Sequence, residues 1–314
     1  MTKVLFTGGG GAGNEALWRL LGSRYELHFG DADEAAIDPA IPAGRRHALP
    51  WASTPDFAAH MAQLCANLSI DLLVPGVDEE LLPLARALSA LASTRLLLPQ
   101  ASYVHTMTDK WLMVQSLVSQ SLPVPRSMLL SENFQGLQFP CIAKPRQGRG
   151  SRDVRVLATA AQAQALRDAA GATAEQTLLQ DRIAGTEYTV QMMADAQARL
   201  HAVVPVRVGI KRGITLRATT ENQPQVIAAC RAIHAALPAA GCYNIQLMLT
   251  ADGQVFPFEI NPRVSTTLCL CVAAGLDPLA IYLAEQQPGV LLPFRSGLQL
   301  RRHWSNHFIG ETLL

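Results

Sequence analysis

The sequence predicts an α/β fold in two parts, a parallel α/β unit over roughly the first hundred residues and an α+β portion beyond it. Three observations carry this reading. Short apolar strands alternate with helical patterns from Lys3 to Pro99, the texture of a parallel sheet covered by helices. From about residue 127 the texture changes to strands separated by glycine turns. Further on, Asp252-Gly253 stands between two apolar runs, a strong hairpin signal. A length of 314 residues, at about 150 per domain, allows two domains or three small ones.

Composition narrows the function classes. Hydrophobic residues make up 49% and charged residues 16%, enough for a sizeable core and too apolar for wholesale disorder. Lysine and arginine number 26 against 25 acids, a net charge of +1, so nothing electrostatic draws the chain to nucleic acid or to an anionic membrane. No apolar run approaches the ~20 residues of a spanning helix. The start, MTKVLFTGGGG, reads as a strand entering a glycine loop and lacks the apolar region of a signal peptide. A cytoplasmic protein is expected. The cysteines at 65, 141, 230, 242, 269 and 271 form no C-x-x-C pair and have no histidine at zinc-ligand spacing. They read as small buried hydrophobes.

Taken in order, KVLFT at 3–7 is a strand, followed by Gly8 to Gly13 and a helical pattern through Leu21. YELHFGDAD is a strand ending in an acidic turn, residues 55–68 a helix, IDLLVPG a strand, and DEELLPLARALSAL a helix whose opening acids suit the helix dipole. LLLP at 96–99 closes the series, and a boundary falls near residue 100. Thr106 and Asp109 form a capping box before a helix in which Met107, Trp111, Val114 and Val118 keep the helical period, and Pro123 and Pro125 stop it. A β-rich segment to 157, a helix at 160–170, the strands of TLLQDRIAGTEYTVQMM, the strand HAVVPVRVGIK, a helix near 224–237 and a hairpin at 242–261 complete the chain.

The hairpin is the most informative local geometry. With a two-residue loop at Asp252-Gly253, Glu259 faces Gln246 and Asn261 faces Asn244. Alternation then sends Ile245, Leu247 and Leu249, with Ile260, Phe258 and Phe256, to the core face. The other face collects oxygen donors suited to a hard cation such as Mg²⁺. One carboxylate among amides needs a phosphate to complete the site. Pro257 marks the second strand as an edge or a bulged one.

In IAKPRQGRGSRDV, Lys144 ends an apolar strand and precedes Gly148, Gly150 and Ser151. Loop amides can cradle phosphates beside a lysine point charge, although this is not the Walker pattern. LLQDRIAGTEYTV supplies Asp181 and Glu187 around a glycine turn, where carboxylates can accept ribose hydroxyls and the backbone beside Ile183 can pair with an adenine edge. Arg207 and Lys211 share one face of VPVRVGIK.

In sequence order, Lys110 at a helix start, Lys144 before its loop, the hinge with Glu187, Arg207 and the 246/259/261 hairpin resemble the ATP-grasp superfamily. NIQ…FEINPRVS is similar to the carbamoyl-phosphate synthetase large-subunit branch. The resemblance implies an ATP-grasp fold preceded by a Rossmann-like domain. It divides the chain into 1–100, a small or lid subdomain with its leading helix at 101–184, and a large subdomain at 185–314. It further implies ATP with Mg²⁺, or Mn²⁺ in its place. Lys110 and Lys144 would hold phosphates under the Gly148–Ser151 loop, Asp181 and Ile183 would meet adenine or ribose, and Glu187 the ribose. Gln246, Glu259 and Asn261 would hold metal, Arg207 would neutralise the transferred phosphoryl group, and Arg263 would hold the acceptor carboxylate or acyl phosphate. The implied reaction joins a small-molecule carboxylate to an amine or ammonia through an acyl phosphate, in a chain that leaves room for a homodimer.

Two departures qualify the likeness. Thr266 stands where the carbamoyl-phosphate branch carries a second arginine, and Asp153 where relatives commonly have glycine. There are also two rival readings. Gly8, Gly10 and Gly13 satisfy the dinucleotide fingerprint, with Asp31 placed like its ribose-binding acid, which would make an NAD(P)-dependent oxidoreductase. Under the ATP-grasp resemblance the same loop borders the acceptor site. The third reading is a non-catalytic ATP-binding regulatory subunit. His303 and His307 around Trp304 are expected to pack and solvate, and Asp78, Glu79 and Glu80 to cap their helix.

Overall fold

The computed structural model describes residues 1–91, 93–148, 150, 152–283, 290–303 and 306–307. Among them the chain forms three sheets. The first is parallel, with strands β1 (Lys3–Thr7), β2 (Glu26–Asp31), β3 (Arg46–Ala48), β4 (Leu72–Val74) and β5 (Arg95–Leu96) in the order β3-β2-β1-β4-β5. Its strands are apolar on both sides because both faces are covered. Leu5 and Leu73 pack with helices α2 (Phe57–Leu68) and α3 (Asp78–Arg86), while Val4, Phe6, Leu72 and Val74 pack on the side of α1 (Asn14–Leu21). The strand order reverses between β1 and β4, so the loops leaving their C-terminal ends diverge and open a crevice.

After α4 (Ala101–Thr108) and α5 (Lys110–Ser119) comes a small antiparallel sheet. Its strands β6 (Ser127–Leu129), β7 (Cys141–Pro145), β8 (Arg155–Leu157) and β9 (Thr177–Asp181) lie in the order β6-β9-β7-β8. Helix α6 (Ala160–Ala170), capped by the Thr159 side chain, covers one face through Ala163. The large sheet holds β10 (Thr186–Ala194), β11 (Leu200–Arg212), β12 (Ile214–Thr220), β13 (Gly241–Leu249), β14 (Val255–Asn261) and β15 (Gln299–Arg301), in the order β14-β13-β10-β11-β12-β15. One face buries Tyr188, Val190, Met192 and Ile245 against α4, α5 and α7 (Pro224–Ala236). Thus α4 and α5 lead into the small sheet in sequence but pack on the large one. Val204, Val206 and Cys242 on the other face share a core with α8 (Leu268–Ala273), α9 (Pro278–Leu283) and the parallel sheet. That shared core fixes the N-terminal unit against the large sheet. All six cysteines are free and buried, and no helix among the described residues is long and apolar enough to cross a membrane.

Several local expectations need correction. The acidic helix ends at Arg86, one turn after Pro83, and Leu88–Leu91 is a separate 3-10 turn. The capping box is not formed. Thr106 lies inside α4 and returns its hydroxyl to the Ser102 carbonyl, 3.0 Å away. Asp109 alone breaks the helix and caps α5 by accepting from the amides of Trp111 and Leu112 at 2.9 and 3.2 Å. Val118 is accordingly exposed.

The hairpin contains two deviations that compensate. Its loop has three residues, with Thr250 and Gln254 paired across Gly253 (φ +85°), so Leu249 faces Val255 and Leu247 faces Pro257. That register alone would turn Glu259 toward the core. A bulge at Phe258 on edge strand β14 restores the pairs Gln246–Glu259 and Asn244–Asn261. The core face therefore carries Ile245, Leu247, Val255 and Ile260, while Phe256 and Phe258 leave it.

Candidate active site

Two cavities meet along the inner edge of the large sheet. The larger, about 990 Å³, lies between the small and large sheets, and a second of about 630 Å³ lies between the large sheet and the crevice of the parallel sheet. Arg152, Lys211, Gly213, Gln246 and Glu259 line both, so the two cavities adjoin along these five residues.

The larger cavity gathers most of the predicted nucleotide residues. Lys110, the first residue of α5, is buried with its ammonium 3.1 Å from a Glu259 oxygen and 2.9 Å from the Gly148 carbonyl. Its helix start is braced by the pair Asp109–Arg146 at 2.6 Å, and its amide donates to the Arg146 carbonyl. Lys144, also buried, donates to Gln180 Oε1 at 2.9 Å and to the carbonyl of Phe258 at 3.0 Å, and sits 5.4 Å from the centre of the Phe258 ring. The bulge thus serves a second purpose, presenting Phe258 to the lysine. Burial pushes the Lys144 pKa down to about 8, and nearby Lys110 and Lys211 add to this against the pull of Glu259. Asp181, Ile183 and Glu187 line the far end, where Asp181 accepts from the Gln138 amide at 2.9 Å.

The oxygen-bearing face assembles as the spacing predicts. Glu259 and Gln246 are paired across β13 and β14, and Asn261 donates to Asn244 Oδ1 at 3.2 Å while Asn244 donates to the Arg263 carbonyl at 3.0 Å. One carboxylate and two amide oxygens on one face fit a hard divalent ion completed by phosphate. No group of three histidine, cysteine or acidic side chains suited to metal occurs among the described residues. Gly148 and Gly150 stand at the loop above, at φ +127° and +69°. Ser151 lies outside the described residues. Asp153 has φ +57°, a left-handed position that glycine fills without side-chain strain.

Arg207 is not part of this site. Its guanidinium is paired with Glu221, which also accepts from the Tyr188 hydroxyl at 2.7 Å, and it lines neither cavity. Arg207 pairs regularly with Tyr188 and Thr219 and stays on the Tyr188 face, while register irregularities between Val208 and Lys211 turn Lys211 to the opposite face. They break the simple alternation, so the two cations do not share a face. Lys211 takes the interior position instead, 2.7 Å from Glu187 and 2.9 Å from Gln246 Oε1.

The smaller cavity takes its walls from sequence regions far apart. Gly8 and Gly11 on one side of the crevice, Gly76 and Val77 on the other, and Trp51 above face Arg263, Ser265 and Thr266. Arg263 is paired with Asp78, and Glu80 accepts from the Thr7 hydroxyl. The acids at the start of α3 therefore organise this cavity rather than cap the helix, whose N-cap Val77 makes no side-chain bond. Their sequence signal was only a helix-opening acidic run. Gln180, Phe258 and Lys211 were likewise not singled out for the site. Gln180 and Phe258 lie in the segments LLQDRIAGTEYTV and FEINPRVS, but nothing in those segments points to either as a partner of Lys144.

The glycine fingerprint has a packing explanation. A Cβ at Gly10 would stand 2.6 Å from the Ala36 Cβ, and one at Gly13 would stand 2.9 Å from the Thr266 carbonyl oxygen. Asp31 accepts from the amides of Gly10 and Asp33 at 2.9 and 3.0 Å. His303 and His307 are exposed, and Trp304 lies outside the described residues.

Comparison with known proteins bears on the fold and the family. Solved structures share the fold at low sequence identity. The biotin carboxylase domain of Hydrogenobacter thermophilus 2-oxoglutarate carboxylase, seen with MgADP, ADP and bicarbonate, aligns at TM-score 0.68 and 14% identity, covering 95% of this chain and 73% of that one. Rhizobium etli pyruvate carboxylase aligns at 0.66 and 16% over 88% of this chain, which spans only 28% of that much longer protein. An L-amino acid ligase from Bacillus licheniformis aligns at 0.63 and 15%, covering 87% and 70%. No curated protein matches the sequence. A family model described as the ATP-grasp domain matches residues 107–267, just over half of the chain, and the chain belongs to that family.

Proposed function

We propose that the protein is an ATP-dependent carboxylate–amine ligase acting through an acyl phosphate. The observation that carries this reading is the border at Lys211, Gln246 and Glu259 shared by a cleft lined with lysines and a second cavity at the sheet's switch point. Nucleotide occupies the first, with Lys110 and Lys144 at its phosphates and Asp181, Ile183 and Glu187 toward its nucleoside end. The acceptor occupies the second, with its carboxylate held by Arg263.

An acceptor carboxylate oxygen bonds to the γ-phosphorus while the bond to the bridging oxygen breaks and its electron pair leaves on ADP. The amine then attacks the acyl carbon, phosphate departs with the carbon–oxygen electron pair, and the amine proton passes to phosphate or solvent. No side-chain nucleophile is needed, because in-line transfer asks for positioning and charge neutralisation. Gln246, Glu259 and Asn261 would hold Mg²⁺, with Mn²⁺ as a substitute, which supplies charge neutralisation at the phosphates. An ATP-fed reaction and six buried free thiols fit a cytoplasmic setting. The domain assignment proposed is 1–100 for acceptor binding, 101–184 for the lid, whose leading helices α4 and α5 nevertheless pack on the large sheet, and 185–314 for the phosphate and metal face.

The test is ADP release across a panel of carboxylates crossed with amines, ammonia included, with hydroxylamine trapping of the acyl phosphate. Mg²⁺-dependent ADP formation with one pair, abolished in Glu259→Gln, is the expected result. MgATP binding without ADP or trapped acyl phosphate for any pair would instead favour a non-catalytic ATP-binding subunit.

A further inference from the structure

We propose that Arg152 holds the terminal phosphoryl group of the nucleotide at the border of the two cavities, in the role the sequence assigns to Arg207. This assignment rests on the ligase reading above.

The argument is an account of the cations already engaged. Lys110 is held by Glu259 and the Gly148 carbonyl, Lys144 by Gln180 and the Phe258 carbonyl, and Lys211 by Glu187 and Gln246. Arg146 is paired with Asp109, Arg263 with Asp78, and Arg207 with Glu221 outside both cavities. Two arginines of the cavity walls make no hydrogen bond or ion pair among the described residues, Arg152 and Arg182. Arg182 belongs to the hinge between β9 and β10 and lines the larger cavity alone, whereas Arg152 lines both.

A phosphoryl group in transfer must leave the nucleotide cleft and arrive at the acceptor, so the cation that accompanies it has to face both volumes. Arg152 does, lining both cavities together with Lys211, Gln246 and Glu259. Its exposure also lets the guanidinium approach a phosphate without first breaking a protein contact, and its planar fork suits two phosphate oxygens at once. In the step it serves, the acceptor carboxylate oxygen forms a bond to the γ-phosphorus, the bond from phosphorus to the bridging oxygen breaks, and the electron pair remains on ADP. No proton moves.

The experiment compares MgATP and MgADP affinities by calorimetry for the wild-type chain, Arg152→Ala, Arg152→Lys and Lys144→Ala. Arg152→Ala should weaken MgATP about tenfold, one charge-assisted contact, and leave MgADP within about twofold. Arg152→Lys should recover part of the loss, and Lys144→Ala should weaken both nucleotides. Arg152 is exposed, so its variants should melt at the wild-type temperature in the absence of nucleotide. An equal loss for MgATP and MgADP in Arg152→Ala, or no loss for either, would overturn the assignment while leaving the ligase reading intact. A wild-type chain that binds neither nucleotide would remove the ligase reading and the assignment together.

Discussion

After β1 the chain turns through Gly8–Gly13, and after β7 through a loop holding Gly148 and Gly150. In the first loop a Cβ at Gly10 or Gly13 would meet Ala36 or Thr266 at under 3 Å. In the second, a Cβ at Gly148 or Gly150 would meet nothing within 4 Å, yet both residues have positive φ. The first loop is glycine-rich because protein packs against it and because Gly8 and Gly13 also take positive φ (+63° and +113°), the second because of positive φ alone, beside open space. The motif that looks most like a nucleotide fingerprint is therefore a closely packed loop beside the smaller cavity. The weaker motif stands over the lysines. What distinguishes the two is the space around each glycine, which their spacing does not encode.

The sharpest way to break this contrast is ligand binding. MgATP should stabilise the protein against heat, and NAD(H) should not. Lys144→Met should lower MgATP affinity about a hundredfold, near 2.7 kcal/mol. A shift produced by NAD(H) in place of MgATP would return the nucleotide to the first loop.

The buried lysine also gives opposite pH signatures for binding and stability. Because the free lysine titrates at about 8, MgATP affinity should fall as pH rises through that value. Folding stability should move the other way. Between about pH 8 and the ordinary lysine value of 10.5 the unfolded chain binds more protons than the folded one, so stability rises with pH. Below about pH 8 the charged lysine costs the folded state about 3 kcal/mol. Lys144→Met should relieve that cost, and its stability advantage in urea titrations should shrink as pH increases from 7 to 10. A constant advantage across that range would show that Lys144 is not held in a charge-hostile environment.

Glycine substitutions address the loops themselves. Gly10→Ala should destabilise the fold by about 2 kcal/mol, the cost of forcing a methyl group into packed atoms. Gly148→Ala should cost about 1 kcal/mol, from positive φ alone. Equal losses in urea midpoints would erase the distinction. The smallest effect belongs to Arg207→Ala, which removes an exposed pair worth less than about 1 kcal/mol and should leave MgATP affinity unchanged.

Much of the site was legible before any coordinates. Lys110, Lys144, Glu187, Gln246 and Glu259 line the larger cavity and Asn261 the smaller, each from a strand or helix whose local pattern is strong. Arg207 failed because alternation was extended through a strand with irregular register. The pair Glu259–Gln246 follows from a two-residue loop, with Pro257 marking the second strand as an edge or a bulged one. The chain uses a three-residue loop and a bulge at Phe258, and the two deviations cancel. Asp78 is joined to Arg263 across 185 residues, a distance over which no local pattern carries information.

The sequence by itself determined the element order, the parallel N-terminal unit, the hairpin and the residue types that gather at the larger cavity, since strand and helix periods and glycine turns are local properties. Tertiary structure decided which face each side chain reaches and which cation remains unengaged. Bulges shift register by single residues, and a cation's partner can come from any strand that packs beside it. Side-chain orientation in a sheet reverses with every residue, so one inserted residue is enough to exchange Arg207 for Lys211.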